Sequence, residues 1–123
     1  MKRYAVGLLL AIPLLGHAAD DVKQARLTLK KWGLAYCLST YQKTETAKEA
    51  SQAVGAYFQL GGHADGAYNN VEAYFNKAIP EDKKVMQATG KTNNLMRCLD
   101  AYEAPAYNKL IIQQDKFIGA EME

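Results

Sequence analysis

Val22 to Tyr41, VKQARLTLKKWGLAYCLSTY, is the stretch whose reading decides the fold. At 100° per residue, Val22, Ala25, Leu29, Trp32, Tyr36 and Cys37 fall on one side of a helix, while Leu27, Leu34, Leu38 and Tyr41 fall on another. A helix that is apolar on two sides needs neighbours on both, so this segment belongs at the centre of a bundle. The segments that follow are helical too. Thr46-Ala47-Lys48-Glu49 fits a capping box, in which hydroxyl and carboxylate satisfy backbone N–H groups left open at a helix start. Ala50, Val54, Tyr57 and Phe58 then face inward, and Gly61-Gly62 is expected to end the second helix through a positive φ. A third helix from about Ala64 to Ala78 places Tyr68, Val71 and Phe75 at helical spacing, and Pro80 should stop it for want of a donor.

Pro80-Glu81-Asp82 reads as the first turn of a short fourth helix closing at Gly90, with carboxylates where the helix dipole is positive. Thr92 is the expected cap of a fifth helix whose stripe is Leu95, Leu99 and Tyr102, with Cys98 on or beside it. Pro105 opens a last helix through Leu110 and Ile111. The tail from Gln113 to Glu123, with few apolar residues apart from Phe117, Ile118 and Met122, is expected to fray. The fold class is all-α: a compact bundle of five to six short helices around the central first one.

Upstream, Met1 to Ala18 has the pattern of a secretory signal peptide. Lys2 and Arg3 give the positive start, Val6 to Leu15 the apolar run, and Gly16-His17-Ala18 the small-residue exit. The apolar run is shorter than the about 20 residues a spanning helix needs, and Pro13 interrupts it, so no membrane anchor is expected after cleavage. The expected organisation is a signal peptide, 1–18, and a single helical domain, 19–123, in the periplasm. Removing Lys2 and Arg3 from 15 basic residues leaves 13, equal to the 13 acidic ones. A near-neutral chain lacks the clustered charge that nucleic acid requires, so no nucleic-acid partner is expected.

Cys37 and Cys98 are the chain's two cysteines. In an oxidising compartment, parity favours one disulfide between them. The chain-entropy model assigns a closure of this length roughly 3 to 4.5 kcal/mol. A nucleophilic thiol is the competing use. With His17 lost in the signal, His63 is the remaining imidazole, and it sits in the Gly-rich segment Gly61 to Gly66, which suits a flexible connector better than a general base.

Signatures of metal, redox, acyl-transfer and nucleotide chemistry are absent from the sequence, so no enzyme activity, metal or cofactor is expected. Glu81-Asp82 is helix-start electrostatics, and Lys30-Lys31 and Lys83-Lys84 are solvated charges. Among the eight tyrosines, Tyr68, Tyr74 and Tyr107 stay open between core packing and a protein interface.

Three segments go further. They are Leu29 to Leu38 (LKKWGLAYCL), Tyr57 through Tyr74, and Leu95 to Tyr102 (LMRCLDAY), including a Trp with a Cys five residues on and a Cys-Leu-Asp-x-Tyr run. Together they resemble the periplasmic immunity proteins that inhibit type VI secretion amidase effectors, specifically the family paired with the fourth amidase class. The resemblance implies a signal-bearing, all-helical, non-catalytic homodimer that plugs the active site of a peptidoglycan amidase and protects the producing cell in interbacterial competition. It also implies an inhibitory surface made of a helix from one subunit and a loop from the other. On this sequence the helix is the third, with Tyr68, Asn69, Glu72, Asn76 and Lys77 as partner contacts. The favoured loop is Thr89-Gly90-Lys91-Thr92-Asn93, with Gly61 to Gly66 second, because a Gly-flanked polar loop can approach a narrow cleft closely. The alternative function is a small periplasmic helical protein that binds an apolar ligand or serves in stress, marked by a sizeable apolar pocket.

Overall fold

The computed structural model describes residues 12–119, with side chains from 18 onward, and it is helical almost throughout. Most of the expected signal sequence, and Met122 of the tail, lie outside the described residues. The elements are α1 (Ile12–Tyr41), α2 (Glu45–Leu60), α3 (Asp65–Glu81), α4 (Asn94–Glu103), α5 (Pro105–Gln113) and a 3-10 turn, η1 (Gln114–Phe117). The expected class holds: an all-α bundle of five α-helices in which α1 packs against α2, α3, α4 and α5. At 30 residues α1 is much longer than its neighbours.

The two apolar sides of α1 behave differently. Leu29, Trp32 and Cys37 are buried in one cluster with α3, α4 and α5, and Ala25 is buried too, whereas Leu34, Leu38 and Tyr41 are half-buried and Leu27 is exposed. Tyr68, Val71, Phe75 and Ile79 of α3, Cys98 and Ala101 of α4, and Tyr107 and Ile111 of α5 complete the core. Burying side chains of this size contributes about 1.5–3 kcal/mol each, which makes this cluster the main support of the fold. Cys37 and Cys98 form the expected disulfide between fully buried sulfurs, with Cα atoms 5.8 Å apart, pinning α1 to α4. Gly33 lets α1 approach α3 and α5. A Cβ there would lie 2.0 Å from the Tyr107 hydroxyl oxygen, and that hydroxyl donates to the Lys30 carbonyl at 2.8 Å.

Several local expectations need correction. The capping box is not used, since α2 starts at Glu45 behind Thr44. Gly61 ends α2 in an extended conformation, φ −76°, so no positive φ is involved. It is placed there by contact, because a Cβ would sit 2.1 Å from the Tyr68 hydroxyl oxygen. Pro80 does not stop α3, which continues to Glu81. A proline near a helix end forfeits one backbone bond and little else, so burial of Phe75 and Ile79 outweighs it. Consequently the short fourth helix is absent, and residues 82–93 form a loop around a turn. On α4 the cap is Asn93, whose side chain accepts from Met96 N–H at 2.9 Å, and the buried stripe is Cys98 and Ala101. Leu95 and Leu99 are exposed, at 44% and 42%. Pro105 opens α5 as expected.

The tail is packed rather than frayed through Gly119. Gln114 is 2% exposed, receiving a hydrogen bond from Asn70 at 2.8 Å and donating to the Leu110 carbonyl at 3.0 Å. Arg26 grips Asp115 with one edge of its guanidinium, Nε and Nη2 each donating to a carboxylate oxygen. Ala64 N–H donates to Phe117 at 2.9 Å and Gly119 N–H to Gly62 at 3.2 Å, an antiparallel clasp around His63 and Ile118.

Candidate functional site

The third-helix residues separate by periodicity. Tyr68 turns inward: it is 5% exposed, edge-on to Trp32 with ring centroids 4.9 Å apart and tilted against Phe58 at the same distance. Its side chain is therefore core, and its hydroxyl is held above its ordinary pKa by burial. Asn69, Asn76 and Lys77 are exposed and Glu72 is half-buried. Asn69, Glu72 and Asn76, spaced by three and then four positions, share one outward helix face. Of the other open tyrosines, Tyr107 is fully buried, and Tyr74 is half-buried with its hydroxyl donating to the Ala101 carbonyl at 2.7 Å.

Asn76 is not a loose surface side chain. Tyr36 and Tyr41, both from the C-terminal part of α1, donate their hydroxyls to its Oδ1 at 2.9 and 3.1 Å. Tyr36 also stacks on the buried Trp32, centroids 5.6 Å apart and planes within 7°. Neither tyrosine was singled out by sequence as a functional residue. Both read as members of apolar stripes, and the partner they share lies 35 and 40 positions away.

The loop adjoins this face. Met86 N–H donates to Lys91 and Gly90 N–H to Met86, each at 2.8 Å, closing a turn in which Gly90 has φ +65°, a conformation that favours glycine. Thr89, Gly90, Lys91 and Thr92 are exposed at its tip, while Asn93 is half-buried and occupied as the α4 cap. The base is anchored: Arg97 donates to the Asp82 carbonyl and to Asn94 Oδ1, and Lys84 reaches Asp100 at 3.2 Å. Asn94 Nδ2 donates to the Tyr41 carbonyl at 2.9 Å. Tyr41 thus touches the α3 face with its hydroxyl and the loop base with its main chain. A polar cleft of about 490 Å³ opens beside it, lined by Gln42, Lys43, Thr44, Thr92 and Asn94.

The second-choice loop, Gly61 to Gly66, is buried at His63 and Ala64, half-buried at Gly61 and Gly66, and exposed at Gly62 and Asp65. His63 is 2% exposed under the C-terminal clasp, and burial lowers its pKa, with Asp115 acting weakly the other way. A nucleophilic cysteine has no support, because both cysteines of the chain are consumed in the disulfide. No cluster of three metal-ligating side chains occurs among the described residues.

These features define a class: a disulfide-pinned, all-helical domain whose distinctive exposed features are a polar helix face and an anchored loop tip, surfaces suited to contact with another protein. The chain belongs to the Tai4 family of type VI secretion system amidase immunity proteins, whose family model matches residues 28–111. That match runs from mid-α1 through Ile111 of α5 and includes both cysteines, the α3 face and the loop. No curated protein and no solved structure matches the chain. Its family function is immunity to a type VI secretion amidase.

Proposed function

We propose that this protein is exported by its N-terminal signal sequence, acts in the periplasm as a homodimer, and binds and blocks the active site of one cognate peptidoglycan amidase. It is an inhibitor and not an enzyme. The family match across 28–111 is the observation that carries this reading. The near-neutral exported chain and the absence of any membrane-length apolar helix among the described residues are consistent with it. The contact surface consists of Asn69, Glu72, Asn76 and Lys77 on α3 together with the tip Thr89 to Thr92. Tyr68 and Asn93 support that surface from beneath.

The test is co-purification of the mature chain with the amidase-like effector encoded beside its gene, followed by a peptidoglycan cleavage assay. A stable complex that abolishes cleavage is expected; absence of a complex at micromolar concentrations refutes the proposal. Replacing Gly90 and Lys91 should weaken inhibition, and unchanged inhibition removes the tip from the site. One observation favours the alternative of apolar ligand binding: a groove of about 490 Å³ between α1 and α2, lined largely by Leu34, Leu38, Ala53, Tyr57 and Tyr102. A free chain whose groove takes up no apolar dye would set this alternative aside.

A further inference from the structure

We propose that Asn76, held by Tyr36 and Tyr41, is the fixed polar anchor of the amidase-binding face and engages a main-chain peptide group of the amidase. This rests on the amidase-binding reading above. An exposed asparagine ordinarily rotates freely, and a partner that captures it must arrest that motion, which weakens binding. Here the arrest precedes binding. The side-chain carbonyl of Asn76 has two acceptor sites, and the two tyrosine hydroxyls occupy them at 2.9 and 3.1 Å. The amide NH2 keeps its donors for a partner. One turn on, Pro80 has no N–H, so the Asn76 main-chain carbonyl lacks the helical donor it would otherwise take. The residue therefore presents fixed amide donors, the complement of a peptide C=O, beside a main-chain carbonyl that its own helix leaves without a donor.

The anchor is built outward from the core. Tyr36 is aligned by its stacking on Trp32, which is buried, and Trp32 in turn by Tyr68. Tyr41 extends the arrangement to the loop, because its carbonyl receives Asn94 Nδ2 at 2.9 Å. Both candidate surfaces are thereby joined within one protomer. Tyr36 and Tyr41 are positioning residues that act through Asn76.

The experiment measures binding of the neighbouring amidase to the wild-type chain, to Asn76→Asp, to the double variant Tyr36→Phe with Tyr41→Phe, and to the triple variant. Asn76→Asp still accepts from both tyrosines but has no NH2 donors. The phenylalanines keep the rings and release the asparagine. Asn76→Asp should weaken binding about tenfold or more, and the double variant by roughly 3- to 10-fold, mainly through faster dissociation and with little change in melting temperature. The triple variant should bind no worse than Asn76→Asp, since the tyrosines have no effect without the amide they orient. A double variant that binds like wild type, or one whose loss adds in full to that of Asn76→Asp, overturns the anchor while leaving the amidase reading intact. A wild-type chain that forms no complex overturns both.

Discussion

Gly33→Ala sets two known effects against each other. Gly33 lies inside α1, where alanine is favoured over glycine by about 1 kcal/mol, so propensity alone predicts stabilisation. Packing predicts the reverse. The added methyl would lie 2.0 Å from the Tyr107 hydroxyl oxygen, 2.7 Å from Val71 Cγ1 and 2.8 Å from Phe75 Cε2. All three neighbours are fully buried, so none can swing into solvent. Overpacking of this kind costs about 1–3 kcal/mol. Displacing the Tyr107 hydroxyl also breaks its 2.8 Å bond to Lys30 and strands a buried polar group, which adds about 1–3 kcal/mol. Against the propensity gain, the net is a destabilisation of about 2–4 kcal/mol. For a domain near 100 residues that lowers the melting temperature by roughly 10–25 °C. Urea unfolding of the oxidised protein, followed by circular dichroism, reads it directly. Tyr107→Phe alone should cost about 1 kcal/mol. The double variant should be more stable than the sum of the two predicts, by about 1–2 kcal/mol, because the worst contact has gone. A Gly33→Ala protein as stable as its parent, or a strictly additive double variant, refutes the argument.

Replacing Cys37 and Cys98 together by serine should remove about 2–5 kcal/mol, seen as a lower urea midpoint than that of the oxidised parent; equal midpoints would show that packing alone fixes α1 to α4. Acid should weaken the fold in two steps. Burial holds the His63 imidazole below its ordinary 6.5, so the unfolded chain binds that proton first and stability falls as the pH drops below about 6.5 toward the native pKa. Asp115, held below its ordinary 3.8 chiefly by the hydrogen bond from Arg26, continues the loss below that value. His63→Gln should flatten the upper step in urea titrations at pH 7.5 and 5, and an unchanged slope would place the titrating group elsewhere. Asp115→Asn should cost at most about 1 kcal/mol, because the Arg26 pair is about one-third exposed and screened. The same variant should speed hydrogen exchange at the amides of Ala64 and Gly119, and exchange that stays slow would show that the clasp holds without the ion pair.

Periodicity and parity made the architecture legible. The α1 stripes, the Tyr68, Val71 and Phe75 face of α3, the Pro105 start and the Cys37–Cys98 pairing all follow from local spacing or from the cysteine count. Pro80 misled because Pro-Glu-Asp is equally compatible with the end of one helix and the beginning of another, and only the burial of Ile79 decides between them. The Gln114 turn was missed because glutamine and aspartate read as solvent-facing, and their partners, Asn70 and Arg26, lie far back in the chain. Family resemblance supplied the candidate contacts, and helix geometry then sorted them, turning Tyr68 inward and leaving Asn76 out. The Tyr36, Tyr41 and Asn76 arrangement has no signature in sequence at all, since it depends on where two helices cross.

The Gly90 turn separates what holds the loop from what the loop shows. Its side-chain fixings, Arg97 on Asp82 and Lys84 on Asp100, sit at the base, and the Met86 backbone pair and the bond from Lys91 N–H to Thr89 Oγ1 close the turn, while the side chains of Lys91 and Thr92 are exposed. Exchanges at such positions typically change stability by no more than about 0.5 kcal/mol. A lineage pressed by a changing toxin can therefore rewrite these letters generation after generation without first acquiring compensating changes in its interior, provided the glycine stays. On the proposed reading of the tip, recognition can drift quickly on a scaffold that hardly drifts.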